Sequence, residues 1–180
     1  MDQEIKDWVD VLAKSFGIGG GLLAAFKGID EFRQNRILRE RDLRWKQANA
    51  AKSLMDELFD DFKAKQATVM LDYEEREYEF NGSKQNIERK DVIHALTRNT
   101  DENPTTKDIF IRDCFDNFLY YIDLLEQSIN NTLFEQKDIE YPMHYFAAIV
   151  NNVDFKQTFR AYIDGYGSEN SIKFFDRFIK

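Results

Sequence analysis

The sequence predicts an all-α fold in which a long N-terminal helix leads into an irregular multi-helix bundle. Only 2 of the 180 residues are proline, and apolar residues recur at helical spacing along most of the chain. The 16 phenylalanines and 8 tyrosines provide enough aromatic bulk for one core. We therefore predict an apolar N-terminal helix over residues 1–28, as a membrane anchor or oligomerisation segment, and a helical domain over residues 29–180.

Residues 13–28 read AKSFGIGGGLLAAFKG, an apolar stretch rich in glycine. The stretch lacks the last glycine of G-x-G-x-x-G and any Gly-Lys-Ser/Thr ending, which argues against a phosphate loop. It is also too apolar for a flexible linker. In a helix its small residues fall four apart on one stripe, which lets two helix backbones approach closely. A hinge before the next helix is the alternative. The predicted helix-packing and oligomerisation line is Ala13, Gly17, Gly21 and Ala25.

The sequence allows two environments for this segment, a lipid bilayer or water. Residues 8–26 approach the roughly 20 residues that a membrane-spanning helix needs. Asp10 and Lys14 interrupt the apolar run, so a buried or interfacial helix in a soluble assembly is the alternative. In either medium the small-residue line predicts a homo-oligomer.

A basic stalk follows the apolar segment. Residues 27–52 hold eight basic and four acidic residues, whereas residues 53–180 carry a net charge of −10. Positive charge next to a membrane helix places the C-terminal domain in the cytoplasm, and a solvated helix face that meets a protein partner is the equal alternative. The acidic remainder argues against nucleic acid as a partner. The stalk consists of Lys27, Arg33, Arg36, Arg39, Arg41, Arg44 and Lys46.

Residues 29–62 contain no glycine or proline and have helical periodicity, so we predict one long helix that enters the core in its second half. Asn81-Gly82 is a turn dipeptide between alternating residues, which predicts one short hairpin near 76–88. A short helix over 87–96 follows. The predicted buried face of the long helix is Trp45, Ala48, the Lys52 stem, Met55, Phe59 and Phe62, with Ala51, Leu54 and Leu58 beside it.

A second long helix is predicted to begin with Thr105 and Asp108, which have capping-box spacing. Asn130-Asn131 weakens its end. Three shorter helices are predicted over 143–150, after Pro142, and over 154–162 and 168–178. The apolar stripe of the second long helix is Ile111, Phe115, Phe118, Ile122, Leu125 and Ile129.

The sequence contains no recognisable catalytic or metal-binding pattern. His94 and His144 belong to no metal or nucleophile motif, and Cys114, the one cysteine, is predicted to be an inert buried thiol. The acidic residues between 72 and 79 lack the spacing of a calcium loop and are predicted to be solvated, with Arg76 paired locally. We therefore predict a non-enzymatic protein with no catalytic residue, no cofactor and no metal. Three further carboxylates are predicted on the solvent side of the second long helix: Asp113, Asp116 and Asp123.

Several short motifs follow the apolar N-terminal helix along the chain. They are Trp45-Lys46-x-Ala48, Leu54-Met55-Asp56-Glu57, Met70-Leu71-Asp72-Tyr73 with Arg76-Glu77-Tyr78, Ile111-Arg112-Asp113-x-Phe115 and Glu140-Tyr141-Pro142. Together they resemble a group of small uncharacterised bacterial proteins, whose members join an N-terminal membrane helix to a cytosolic helical domain. The resemblance implies a bacterial inner-membrane location, with a cytoplasmic protein as the alternative, and an accessory or effector role such as anti-phage defence. It brings no site residues.

Two hypotheses follow. The first is a membrane-associated or self-associating protein that oligomerises through its N-terminal helix. The second is a soluble adaptor that docks on a partner protein through its N-terminal helix and basic stalk.

Overall fold

The computed structural model describes the backbone of residues 3–97 and 103–178, and the side chains of 27–97, 103–152 and 155–178. Within these ranges the chain is all-α apart from one hairpin, as predicted. The chain divides into two compact units, residues 1–46 and residues 47–180. The elements are α1 (Gln3–Asp60), α2 (Phe62–Asp72), β1 (Glu75–Phe80), β2 (Ser83–Glu88), α3 (Arg89–Leu96), α4 (Thr106–Asn130), a 3-10 turn (Gln136–Asp138), α5 (Glu140–Val150), α6 (Val153–Tyr166) and α7 (Glu169–Arg177).

The predicted long helix is confirmed as α1, and its predicted buried face is confirmed only in part. The side chains that enter the core are Ala51, Met55 and Leu58, at 4-3 spacing. Trp45 and Phe62 are instead 67% and 58% exposed. The predicted face reaches the core only through its last turns, where Met55 is buried and Phe59 packs against Phe146 of α5. Ala48 and the Lys52 side chain are exposed as well.

A single extended residue separates α1 from α2. Asp61 has φ −62° and ψ 124°, which breaks the helical backbone, and its carboxylate accepts a hydrogen bond from the Ala64 N–H. Aspartate is a favoured N-cap because its oxygen satisfies one of the free amides of a helix start. Phe62 therefore begins a new helix, which explains why it leaves the face predicted for α1.

The predicted hairpin is present, and its turn has the expected chemistry. Strands β1 and β2 pair antiparallel, with Phe80 opposite Ser83. Between them Asn81 and Gly82 have φ values of 52° and 70°, the left-handed backbone of a type I′ turn. Phe80 stacks on Phe110 of α4 at a centroid distance of 4.2 Å, which fixes the hairpin to the core. Helix α3 begins two residues later than predicted, because Ile87 belongs to β2.

Helix α4 is the central element of the second unit and contacts α2, α3 and α7. Its predicted capping box is confirmed: the Asp108 N–H donates to Thr105 Oγ1 at 3.1 Å, and the Thr105 N–H donates to Asp108 Oδ2 at 2.9 Å. The predicted stripe is also confirmed. Its first five residues are fully buried and the sixth is partly buried: Ile111, Phe115, Phe118, Ile122, Leu125 and Ile129.

All three α4 carboxylates that the sequence places on the solvent side instead contact neighbouring helices. Asp113 pairs with Lys63 of α2 at 2.7 Å. Asp116 accepts a hydrogen bond from the Tyr162 hydroxyl of α6. Asp123 accepts from the hydroxyl of Ser171 at 2.6 Å and from that of Ser168, which caps α7. The hydroxyl partners lie 45 to 48 residues away along the chain, so local periodicity did not reveal them.

An ion pair joins the buried Glu126 of α4 to the partly exposed Arg177 of α7. Glu126 has a 1% exposed side chain and accepts two hydrogen bonds from the Arg177 guanidinium, each 2.8 Å long. Arg177 also donates to Asn130 Oδ1 at 2.8 Å. The fork geometry satisfies both oxygens of the buried carboxylate, while the Arg177 guanidinium keeps part of its contact with water.

Candidate interaction surfaces

The predicted oligomerisation line lies on the N-terminal part of α1. Ala13, Gly17, Gly21 and Ala25 fall in its helical backbone, but their side chains are outside the described residues. The line therefore stays a prediction, as does the apolar segment 1–28 that contains it. Among the residues that the structure describes, no helix is long and apolar enough to cross a membrane.

The basic stalk lies entirely on α1. Arg44 is half-buried and its other cations are exposed. Three of the cations pair with acids one turn away: Lys27 with Glu31 at 3.9 Å, Arg36 with Glu40 at 2.9 Å and Lys46 with Asp42 at 2.8 Å. Such exposed pairs contribute about 0.3–0.5 kcal/mol each. At 100° per residue the stalk cations are distributed around the whole helix. The stalk is therefore stabilised locally and stays basic on all sides.

The same part of α1 carries six large apolar side chains in solvent, of which Ile37 is the least exposed at 40%. Ile29, Phe32 and Leu43 lie on one side of the helix and are 65%, 73% and 59% exposed. Leu38 and Trp45 lie on the opposite side, seven residues apart, and are 59% and 67% exposed. Single exposed apolar residues are ordinary, but a concentration of them indicates a surface that meets a partner.

The second unit carries an open aromatic groove beside α5, which we call the α5 groove. Its volume is about 930 Å³, within the usual range for ligand sites. Tyr141 at its edge is 94% exposed, the largest exposure among the described large apolar side chains. The sequence interpretation missed this groove. The groove is lined by Phe59, Lys137, Glu140, Tyr141, Pro142, His144, Tyr145, Phe146 and Ala148.

Contacts inside the groove hold its aromatic wall in place. Phe146 packs against Phe59 and Tyr145 at centroid distances of 6.3 and 5.5 Å. The Tyr145 hydroxyl donates a hydrogen bond to Asp72, and this bond raises the pKa of Tyr145. His144 Nδ1 lies 3.2 Å from the Phe178 carbonyl oxygen, which fixes the imidazole ring. The wall is thus formed before any partner arrives.

Charges surround the groove unevenly. Lys137 pairs with Glu135 at 2.5 Å, so its positive charge is largely compensated. Glu140 lines the groove, and the Asp72 carboxylate is held at the Tyr145 hydroxyl. The groove therefore presents an apolar floor with a net negative edge.

The structure places the other residues that sequence analysis considered for chemistry in structural roles. Cys114 is fully buried, as predicted, and burial raises the pKa of its thiol to about 12. His94 Nδ1 lies 3.2 Å from Asp108 Oδ1, within the α4 capping box. Among the described residues, no cluster of three His, Cys, Asp or Glu side chains is arranged to hold a metal ion.

The acidic run before and along β1 is engaged locally. Glu77 pairs with Lys84 across the hairpin at 2.8 Å, and Glu74 lies 3.4 Å from Arg89. Arg76 was predicted to pair with a nearby acid, but among the described residues it contacts an aromatic ring instead. Its guanidinium lies 4.8 Å above the centroid of the Tyr73 ring. Cation–π contacts of this kind are favourable because the ring face is electron-rich.

The chain matches no protein-family model, and neither the curated proteins nor the solved structures contain a significant match. The resemblance to small bacterial membrane proteins therefore stays a prediction.

Proposed function

We propose that this protein is a non-enzymatic, self-associating helical protein in which α1 is the association element. The observation that supports it best is the exposure of the stalk. Ile29, Phe32, Leu38, Leu43 and Trp45 are each at least 59% exposed among cations, on a helix whose later turns enter a core. Apolar surface of this extent is stabilised when a partner covers it.

The proposed setting is a bacterial inner membrane, with residues 29–180 in the cytoplasm. Two sequence features support it: the apolar segment 8–26 and the net positive charge that follows it. An accessory or effector role, such as anti-phage defence, is proposed from the sequence resemblance alone.

Fractionation and mass measurement test this proposal together. We expect the full-length protein in the membrane fraction and, in mild detergent, at a multiple of 21.4 kDa. Gly17→Leu/Gly21→Leu should shift it to the monomer mass, because leucine keeps the backbones apart. Gly19→Leu, about half a turn away on the helix, is the control and should keep the oligomer. A wild-type chain that is monomeric and absent from the membrane fraction would refute the proposal.

A soluble adaptor that docks on a partner protein through its N-terminal helix and basic stalk is the second candidate. The exposed apolar side chains of the stalk favour it, since Phe32 and Trp45 are 73% and 67% exposed among the cations. In this case, deletion of residues 1–28 should abolish a native complex and leave the helical circular dichroism of the remainder intact. A complex that survives the deletion would exclude docking through the N-terminal helix.

A further inference from the structure

One side of the stalk combines apolar and basic side chains. Ile29, Phe32 and Leu43 share a sector of about a third of the α1 circumference with three arginines, at 100° per residue. Glu40 lies in the same sector and pairs with Arg36 at 2.9 Å. The sector, which we call the stalk face, therefore keeps a net positive charge around an exposed phenylalanine. Its residues are Ile29, Phe32, Arg33, Arg36, Arg39, Glu40 and Leu43.

The α5 groove has the complementary composition. Its floor is aromatic, and its edge carries Glu140 and Asp72 against the compensated Lys137. The chain therefore presents one basic apolar surface and one acidic apolar surface. Among the described residues, no other element packs over either surface.

We propose that the stalk face of one copy docks in the α5 groove of a second copy. This inference rests on the proposed self-association and names its contact. Phe32 enters the aromatic groove, while the arginines beside it lie against Glu140 and Asp72. Because the two surfaces are different, the contact is head-to-tail and each copy keeps one surface available for the next.

Charge excludes the two symmetric alternatives. A stalk face on a stalk face would bring three arginines of each copy together, with only Glu40 to offset them. A groove on a groove would oppose the Glu140 and Asp72 carboxylates of the two copies. Like charges brought together at an interface are unfavourable, whereas opposite charges select the partner and orientation.

Cysteine cross-linking between two full-length variants tests the contact directly. A tagged Phe32→Cys chain is mixed with an untagged Tyr141→Cys chain and treated with a short bismaleimide. Both replaced residues are exposed, so their cysteines can react. The native Cys114 thiol is buried and should not react with the bismaleimide. We expect a tagged–untagged product. The matched control is Leu38→Cys with Tyr141→Cys, because Leu38 is 59% exposed on the opposite side of α1.

The yield of the tagged–untagged product should be about tenfold higher with Phe32→Cys than with the Leu38→Cys control. Tenfold is the ratio expected if docking through the stalk face is favoured by about 1.4 kcal/mol over docking through the opposite side. Equal yields from the two mixtures would overturn the inference. A dominant product of Phe32→Cys with itself, or of Tyr141→Cys with itself, would also overturn it, since that requires a symmetric contact.

A charge exchange provides the second test. Arg36→Glu is added to the Phe32→Cys chain, and Glu140→Arg is added to the Tyr141→Cys chain. A mixture in which only one chain carries its charge change should give severalfold less cross-linked product. A mixture in which both chains carry their changes should restore the product. Arg41→Glu, an equal charge change outside the stalk face, should have little effect. Failure of the double change to restore the product would count against the contact.

The wild-type mass separates this inference from the proposed function. An oligomer without the Phe32–Tyr141 product refutes the contact only. A monomer without the product refutes self-association as well.

Discussion

Two phenylalanines show how differently the two units use the same residue type. Phe32 in the first unit is 73% exposed, whereas Phe118 in the second unit is fully buried and packs against Phe146 and Phe175 at centroid distances of 6.2 and 6.4 Å. Both belong to long helices with apolar residues at helical spacing. The difference is that α4 has α2, α3 and α7 against its sides. Burial is therefore determined by the neighbours that a helix meets, and hydrophobic residues alone do not predict it.

Truncating these two rings should give the largest contrast. Phe118→Ala removes a buried ring and leaves a cavity, so we expect the free energy of unfolding to fall by about 4 kcal/mol. In dilute solution, where the copies are apart, Phe32→Ala removes an exposed ring and should cost less than about 0.5 kcal/mol. Urea unfolding followed by near-UV circular dichroism measures both. Similar losses would mean that Phe32 is covered in solution, and the concentration dependence of its loss would then reveal a second copy.

The ion pair between α4 and α7 sharpens the comparison between buried and exposed charge. Arg177→Met leaves the Glu126 carboxylate buried without its partner and should lower the free energy of unfolding by about 3 kcal/mol. Lys173→Met is the control, because its partner Glu169 is 86% exposed and such pairs contribute less than about 1 kcal/mol. Adding Glu126→Leu to Arg177→Met should recover most of the loss. Equal effects of the two single changes would show that the ion pair is open in solution.

Two glycines should respond to alanine with opposite signs. Gly167 ends α6 with φ +79°, where alanine is strained, so Gly167→Ala should destabilise the second unit by about 1 kcal/mol. Gly28 lies inside α1, and a Cβ added there meets no atom within 4 Å. Gly28→Ala should therefore stabilise the local helix by about 1 kcal/mol and slow amide hydrogen exchange nearby about fivefold. Faster exchange in Gly28→Ala would indicate that a neighbour requires the glycine.

The smallest effect is expected at the start of α4 and depends on pH. Burial alone would raise the pKa of Asp108, but hydrogen bonds from Thr105 and His94 outweigh it and hold the pKa below 3.8. The pKa of Asp108 is therefore lower in the folded chain than in the unfolded chain, so the ionised carboxylate stabilises the fold. This stabilisation is present above about pH 3.8 and is lost as the pH falls through the folded pKa.

Asp108→Asn should thus cost up to about 1 kcal/mol at pH 7 and reduce the loss of stability in acid. Asp164→Asn, on the exposed surface of α6, is the matched control. Unfolding free energies measured from pH 2 to 7 provide the comparison. An acid profile unchanged in Asp108→Asn would contradict the assignment.

Local sequence signals predicted the features that depend on neighbouring residues. Asn81-Gly82 indicated the hairpin because few other dipeptides adopt two left-handed residues easily. Thr105 and Asp108 indicated the start of α4 because their spacing satisfies free amides at a helix start. The α4 stripe was found because one side of that helix is apolar without interruption.

Features that depend on distant residues were not predicted. In α1 the apolar residues form two adjacent stripes, and only the position of the other helices decides that Ala51 is buried and Ala48 is exposed. Local periodicity predicts Asp123 on the surface because its partners, Ser168 and Ser171, lie at the distant start of α7. The α5 groove left a weak signal, Tyr141, Tyr145 and Ala148 at 4-3 spacing, opposite the buried side of that helix.

The Glu126–Arg177 pair also has a consequence for synthesis of the chain. Arg177 follows Glu126 by 51 residues, so the ribosome exposes the acid long before it supplies the base. Until α7 emerges, closing the core around α4 would bury a carboxylate without its partner, which is strongly unfavourable. We therefore expect the second unit to stay open during translation of α5 and α6, and to close only after Arg177 has left the exit tunnel.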